Sequence, residues 1–313
     1  MDKEYVVIVD SMADFPIGFE HPDIRIVKTP VTIGTEDLTY ADVDTFYNKQ
    51  REGGICKTAA PITAEIEQEM RKILESGKDA VYIATASSLT SAFQSGRTAC
   101  IIIDEDEGYK NRAIAIDGLS MSVLTAVLVK AAISRTTTTD ELINFIFDRR
   151  NDTEHFFAVE EWSAFKNSGR ISRGTLLLAD LIGIKPLMRF DFLESGERKA
   201  FCEKKGQNLK ALCIHAAKTL SRTIDPEFKT ATIVHAQNEE GAKMLADVVR
   251  KFAPGVLIAG DPEVDKNFRM GQATGVHLGF SAIGLAFLRR KGVYPNAEKH
   301  REIQKLSEAK FEI

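Results

Sequence analysis

DAVYIATASSLTSAFQSG (79–96) is the stretch on which the reading of the fold turns. Its first seven residues form a near-continuous apolar run, the pattern of a strand buried on both faces. The run then meets six hydroxyl side chains, Thr85, Ser87, Ser88, Thr90, Ser91 and Ser95, gathered around a single aromatic, Phe93. From Ser91 to about 103 the apolar spacing predicts a helix. A strand, a hydroxyl-rich loop and a helix make up half of a crossover unit. Two similar apolar runs, YVVIVD (5–10) and RAIAID (112–117), supply neighbouring strands for a parallel sheet.

Helices are predicted between these strands. In ITAEIEQEMRKILESG, Thr63 is the expected N-cap, Glu65 and Glu67 sit in the first turn, and Ile66, Met70, Ile73 and Leu74 share one face before Gly77 ends the helix. Further helices are expected over 120–134 and 140–149, the last capped by Thr139 of a TTTT run. Residues 1–155 therefore read as an α/β domain, a doubly wound, mainly parallel sheet.

After HFFAVEEW (155–162) the strands lie closer together. KPLMRFDF and RKAFCEKK read as a hairpin with Gly196 in its connection. TATIVHA (230–236) and GVLIAGD (255–261) flank the helix EEGAKMLADVVRKFA, and GVHLGF and IGLAFLRR are expected to add two short strands. Residues 156–290 thus read as a C-terminal α+β domain with a mixed, largely antiparallel sheet. Residues 291–313 read as a polar helical tail that could dock through Ile303, Leu306 and Ala309.

Composition removes several function classes. The chain has 313 residues, 44% hydrophobic and 27% charged, with a net charge of −4, so no global field attracts a polyanion and nucleic-acid binding is not expected. No run approaches the ~18 apolar residues of a membrane span, and the first apolar run is too short for a signal peptide, so a cytoplasmic location is expected. Cys56, Cys100, Cys202 and Cys213 form no CxxC or CxxH pair, which leaves reduced core thiols as the expectation and neither a metal nor a cofactor. No GxxxxGK[ST], strand-linked GxGxxG or GxSxG occurs. A nucleotide site or a serine-nucleophile elbow within this chain is therefore disfavoured.

What remains are neutral donors and one basic segment. Asp10 and Ser11 end the first strand, where parallel sheets hold their sites. Met12 stands two residues on from Asp10, where an aspartyl-phosphate enzyme needs a second carboxylate, so turn chemistry and ligand contact both stay open for this pair. Thr58, Thr90 and Ser91 lie at strand ends, His277 lies between glycines in TGVHLG, and KNSGRISRG (166–174) is basic. Each has a plain reading as a cap, a satisfied core histidine or a solvated surface.

Taken in order, these pieces resemble the DegV family of two-domain bacterial proteins that bind a fatty acid. The resemblance spans roughly residues 5 to 290. Its Asp-Ser opening is similar to IVDSMAD, followed by LTYADVDTFYNK (38–49), and its Thr-Ser-x-Pro turn to Thr58-Ala59-Ala60-Pro61. Its Ser-Ser-x-Leu-Ser-Gly-Thr-Tyr-Gln motif resembles Ser87-Ser88-Leu89-Thr90-Ser91-Ala92-Phe93-Gln94. Its later elements resemble Asp117-Gly118-Leu119-Ser120-Met121, Ser168-Gly169-Arg170-Ile171-Ser172 and His277-Leu278-Gly279-Phe280-Ser281. Thr90 stands where the family has serine, Ser91 where it has glycine, Ala59 where it has serine, and Phe280 and Ser281 where it has proline and glycine.

The resemblance implies a long-chain fatty acid held between the two domains. Thr58, Thr90, Ser91, His277 and Gly279 are then the lipid-binding residues, with hydroxyl and imidazole donors replacing the water lost from a carboxylate. About 15 buried methylenes at ~0.8 kcal/mol each would make the tail the larger source of affinity. LLLADLIGI (176–184) and IGLAFL (283–288) are candidate walls, with core packing as the plainer reading. The resemblance further implies a partner, a fatty acid kinase subunit that converts the presented acid to an acyl-phosphate. Lys166, Arg170 and Arg173 would form its docking edge. An enzyme in its own right, a small-molecule kinase or hydrolase, and a lipid-sensing module are the alternatives.

Overall fold

The computed structural model describes residues 2–106, 108–160, 162–170, 183–192, 198–266 and 268–293. Its contacts divide the chain into two compact units, Met1–Asn151 with Arg269–Val276, and Asp152–Phe268 with His277–Ile313.

In the first unit β1 (Tyr5–Asp10), β2 (Ile24–Val27), β6 (Asp79–Ala84) and β7 (Ala113–Asp117) form an all-parallel sheet in the order β2-β1-β6-β7. α2 (Thr63–Glu75) and α3 (Ala92–Asp104) cover one face, where Ile66, Met70, Ile73, Ala99 and Ile103 pack on Val6, Ile8, Ala80 and Tyr82. The alternate residues Val7, Val9, Val81 and Ile83 are fully buried too, which is why these strands read as unbroken apolar runs. Gly96 lets α3 approach the sheet, since a Cβ there would lie 2.2 Å from the Tyr82 ring.

Helix starts differ in detail from the sequence reading. Thr63 lies inside α2 and the N-cap is Ile62, which makes no side-chain cap bond. α5 (Thr139–Arg149) is capped by Thr138, not Thr139, because Glu141 stands three residues after Thr138 and closes a reciprocal capping box. α4 (Val123–Ile133) begins three residues later than expected, because Leu119 (φ 47°) and Ser122 (φ 53°) hold left-handed backbone and interrupt the helical path.

A three-stranded sheet went unread in the sequence. β3 (Val31–Ile33) pairs antiparallel with both β4 (Glu36–Asp37) and β5 (Cys56–Thr58), and α1 (Val43–Arg51), capped by Asp42, joins β4 to β5. α1 explains why residues 269–276 belong to this unit. Tyr47 Oη donates to the Met270 carbonyl (3.1 Å), Gln50 Nε2 to the Gly275 carbonyl (2.8 Å), and a Cβ on Gly275 would lie 2.5 Å from the Tyr47 oxygen. The segment GVHLGF is accordingly no strand. Its first four residues end the helix α9 (Gln272–Leu278), and Gly279 (φ 78°) supplies the left-handed turn that stops it.

The second unit is built on a six-stranded mixed sheet in the order β10-β9-β8-β13-β11-β12. These strands are β8 (Thr153–Ala158), β9 (Lys185–Phe192), β10 (Arg198–Gly206), β11 (Thr230–His235), β12 (Leu257–Ala259) and β13 (Ile283–Leu288), and only β11 and β12 run parallel. The pairing of β9 with β10 is the expected antiparallel one, while Gly196 and the predicted 294–313 part of the polar tail lie outside the described residues.

α7 (Leu209–Thr223) and α8 (Glu239–Phe252), capped by Asn208 and Asn238, cover one face of this sheet. Phe156, Ala158, Leu187, Ile233, Leu285 and Phe287 point into that core. Strand alternation sends His155, Phe157, Met188, Phe190, Val234, Gly284 and Ala286 to the opposite face. That face is buried as well, and Phe165 of the short helix α6 (Ser163–Asn167) meets Phe157 edge to face at 5.8 Å. IGLAFL, β13, is therefore a central strand with half its side chains in the α7/α8 core.

One end of the α7/α8 face carries a buried ion cluster. Glu154 accepts from Arg189 Nε (2.8 Å) and Nη2 (2.9 Å) and from Arg289 Nη1 (3.0 Å), and Asp191 lies 2.9 Å from Arg189 Nη2. Glu154 and Arg289 are fully buried.

Candidate ligand site

The loop after β6 separates its hydroxyls by role. Thr85 is fully buried, and both its N–H (2.9 Å) and its hydroxyl (2.8 Å) donate to the Asp10 carboxylate, which also receives the Met12 N–H (3.0 Å) and the Tyr82 hydroxyl (3.4 Å). Burial pushes the Asp10 pKa up against these donors. Of the two roles open for this pair, Asp10 takes the structural one, a clasp between β1 and the β6 loop. The Ser11 hydroxyl accepts from the Thr29 N–H at 2.9 Å and ties β1 to the residues after β2.

Farther along the loop, Asp117 Oδ1 receives the N–H groups of Ser87 (3.2 Å) and Leu119 (3.0 Å), and the Ala86 N–H donates to the Ser120 carbonyl at 2.9 Å. The Leu89 and Thr90 N–H groups fold back on the Ala86 carbonyl at 2.9 and 3.3 Å, which brings the chain round to Ser91 at the N-cap of α3. Ser91 makes no cap bond and is exposed; Thr90 is half-buried. Among the described residues, the hydroxyls of Thr90 and Ser91 carry no hydrogen bond, whereas those of Thr85 and Ser120 are both engaged. Thr90 and Ser91 are thus among the loop's unengaged hydroxyls, together with Ser87 and Ser95.

Thr58 ends β5, half-buried, in register with Val31. In the second unit His277 is the penultimate residue of α9 and half-buried. Burial and the Arg170 guanidinium lower its pKa to about 4, so at neutral pH the ring is uncharged, with one N–H to donate. Gly279 passes close to α6, where a Cβ would stand 3.2 Å from that of Ala164. Ser281 is engaged on the other side, its hydroxyl accepting from the Glu160 N–H (3.0 Å) and its carbonyl from Asn238 Nδ2 (2.9 Å). Arg170 and Lys166 are exposed, and Arg170 Nη1 donates to the Ser168 carbonyl at 2.6 Å. Arg173 lies outside the described residues, as do residues 176–182 of the candidate wall LLLADLIGI.

Two features escaped the sequence reading. A cleft of about 950 Å³ in the first unit is lined by Asp14, Phe15, His21, Arg25 and Arg269 among others, and by none of Thr58, Thr90 or Ser91. At its edge Asp14 receives the Ser122 hydroxyl (2.6 Å) and the Gly271 N–H (2.8 Å), and burial lifts its pKa to about 7. This bond from Ser122 is what holds the left-handed backbone before α4. The second feature is His155 on β8, whose burial nothing in its apolar surroundings advertised. Among the described residues no group of three or more His, Cys, Asp or Glu side chains is arranged to hold a metal ion.

Comparison with known proteins places this architecture. Residues 4–290 match the family described as "Uncharacterised protein, DegV family COG1307". Over 298 residues the chain is 26% identical to the DegV domain-containing protein CPE0026 of Clostridium perfringens, which covers 91% of this chain and 98% of that one. It is 25% identical over 301 residues to BH3627 of Halalkalibacterium halodurans, covering 91% and 98%. Among solved structures, the fatty acid binding DegV family protein SAG1342 from Streptococcus agalactiae superposes with a TM-score of 0.73 at 22% identity, covering 92% and 99% of the two chains. A stearic acid-binding protein from Eubacterium ventriosum superposes with a TM-score of 0.76 at 19% identity, covering 91% and 98%. At these identities the solved structures establish a common fold: a parallel α/β unit and a mixed, largely antiparallel one. With the family match over nearly its whole length, the chain belongs to the DegV family.

Proposed function

We propose that the protein is a non-catalytic carrier of a long-chain fatty acid, with Thr58, Thr90 and Ser91 of the first unit and His277 of the second as donors to the carboxylate. The observation that carries this reading is the pair of adjacent unengaged hydroxyls at Thr90 and Ser91, following a stretch in which Thr85 and the Ser87 N–H are fixed on Asp10 and Asp117. Uncharged donors suit a carboxylate that is to be held and later released, since each contributes a charge-assisted hydrogen bond without a covalent step. The left-handed Gly279 keeps the chain after His277 in its turn. The family relatives of known structure that bind fatty acids support the choice of ligand.

For the acyl chain, the second face of the six-stranded sheet is the proposed bed. It combines the aromatic and thioether side chains of Phe157, Phe190 and Met188 with two positions, Gly284 and Ala286, that add almost no side-chain volume. A flat apolar strip with small residues at its centre accepts an extended alkyl chain at van der Waals distance. The proposed partner is a fatty acid kinase subunit, with Lys166, Arg170 and Arg173 as its docking edge and acyl-phosphate formation as the partner's chemistry.

Mass spectrometry of an organic extract of the purified protein tests the carrier reading, with a long-chain fatty acid expected at near-stoichiometric amount. Delipidated protein that binds no fatty acid of any chain length would contradict it. Arg170→Ala is expected to retain the lipid and lose coupling to the kinase. Equal loss of both would remove the proposed division between lipid-holding and docking residues.

A further inference from the structure

His155 is a member of the second face that a purely alkyl ligand does not explain. It sits in the middle of β8, with Ala286 opposite on β13 and the Phe157 ring 5.4 Å away, and none of it is exposed. Neither Nδ1 nor Nε2 has a hydrogen-bond partner among the described residues. Buried polar atoms are almost always paired, and leaving one unpaired costs about 1–3 kcal/mol. A leucine or phenylalanine here would fill the same position without that cost. A histidine in the midst of Phe157, Phe190, Met188 and Ala286 is better matched to something polar that arrives from outside the chain.

We propose that His155 forms a polar subsite on the acyl bed for a hydroxyl group carried along the chain, so that this protein takes a hydroxy fatty acid in preference to the unsubstituted acid. The inference rests on the fatty-acid reading above and specifies its substrate class.

The chemistry of the ring favours a hydroxyl over other oxygen functions. Burial and the nearby Arg198 guanidinium lower the His155 pKa to about 3, so the imidazole is neutral, with one N–H donor and one bare nitrogen acceptor. A hydroxyl both donates and accepts and can pair with either nitrogen in either tautomer. A carboxylate, which at the head-group site is met by several donors, would find a single neutral N–H on this ring and so need a positive counter-charge. The cation at hand, Arg198, is already committed: it lies over the Phe190 and Phe192 rings at 5.1 and 5.4 Å and donates from Nη2 to the Thr153 carbonyl at 2.9 Å.

The test is competitive displacement of cis-parinaric acid from delipidated full-length protein by stearic acid and by a ladder of monohydroxystearic acids with the hydroxyl moved along the chain. At least one isomer is expected to bind about ten-fold more tightly than stearic acid, the free energy of one recovered hydrogen bond. His155→Phe is expected to reverse the order, with stearic acid tighter than every isomer, and His155→Gln to restore part of the preference.

Stearic acid that binds while every hydroxy isomer binds more weakly to the wild-type protein overturns the subsite and leaves the fatty-acid reading standing. A ladder left unchanged by His155→Phe likewise overturns the subsite alone. Failure of all the acids to bind overturns both. Should His155→Phe not fold, the wild-type ladder decides alone.

Discussion

Replacing Glu154 by glutamine tests whether the ion cluster at the end of the six-stranded sheet holds the second unit together. The substitution keeps the shape and removes one charge from a site where Glu154 and Arg289 are fully buried and Arg189 nearly so. Three charge-assisted bonds lose their anion: two from Arg189 at 2.8 and 2.9 Å and one from Arg289 at 3.0 Å. Asp191 remains within 2.9 Å of Arg189 but lies 3.7 Å from Arg289, so it recovers part of the loss for the first arginine and little for the second. Breaking one partner of a buried ion pair costs about 3–5 kcal/mol, because the cation left behind is desolvated and unbalanced. With a urea slope of about 2 kcal/mol per molar, the midpoint should fall by roughly 1.5–2.5 M.

The assay has a built-in reporter for this unit. Trp162 is the chain's single tryptophan, and its indole N–H donates to the Ile184 carbonyl at 3.3 Å, so its fluorescence follows the unfolding of the second unit. A midpoint shift below about 0.25 M, the size of an ordinary surface substitution at this slope, would refute the claim that the cluster is stabilising.

Gly96→Ala, which drives a methyl into the Tyr82 ring, should cost about 1–3 kcal/mol in thermal or urea unfolding of the first unit, and a neutral result would contradict the described contact of α3 with β6. Asp14 has a folded pKa of about 7 against an ordinary 3.8, so its contribution is complete below pH 4 and disappears as pH rises to 7, on the order of 4 kcal/mol. Asp14→Asn should remove that slope from the urea-midpoint profile, and parallel profiles would count against the assignment. His155 works in the opposite sense: its folded pKa of about 3 lies below the ordinary 6.5, so stability is present above pH 6.5 and lost as pH falls towards 3. His155→Phe should flatten that acid-side loss as read by Trp162 fluorescence. Thr90→Ala combined with His277→Ala should weaken stearic acid binding by more than ten-fold in the displacement assay, since hydrogen bonds to a charged group contribute about 1.5–3 kcal/mol each. A change of less than two-fold would remove these residues from the head-group site.

Much of the fold could be read from periodicity. YVVIVD, DAVYIAT and RAIAID are near-continuous apolar runs because both faces of the parallel sheet are covered, and the antiparallel partners KPLMRFDF and RKAFCEKK were recognisable as a pair. Local rules failed where a tertiary contact sets the local conformation. GVHLGF has the composition of a strand, yet its glycine at 275 fits against Tyr47 in a helix, a constraint from a residue more than 200 positions away. The late start of α4 follows from Ser122 reaching Asp14, and α1 with its three-stranded sheet was missed because β3, β4 and β5 are two or three residues long.

The site divided along the same line. Residue types and order picked out Thr90, Ser91 and His277, but which hydroxyls are already occupied, and that His155 is buried without a partner, depends on three-dimensional neighbours. Thr85 and Thr90 are two threonines of one hydroxyl-rich stretch, and in the sequence only the motif resemblance sets Thr90 apart. Asp10 distinguishes them in space by engaging one and not the other.

The central claim is that this chain carries a fatty acid, and the most direct measurement is the affinity of the delipidated protein for stearic acid across a series of shorter straight-chain acids. The account predicts saturable one-to-one binding that tightens steadily with each added methylene, at up to ~0.8 kcal/mol per group, until the bed is filled. Affinity that is absent, or indifferent to chain length, would contradict it.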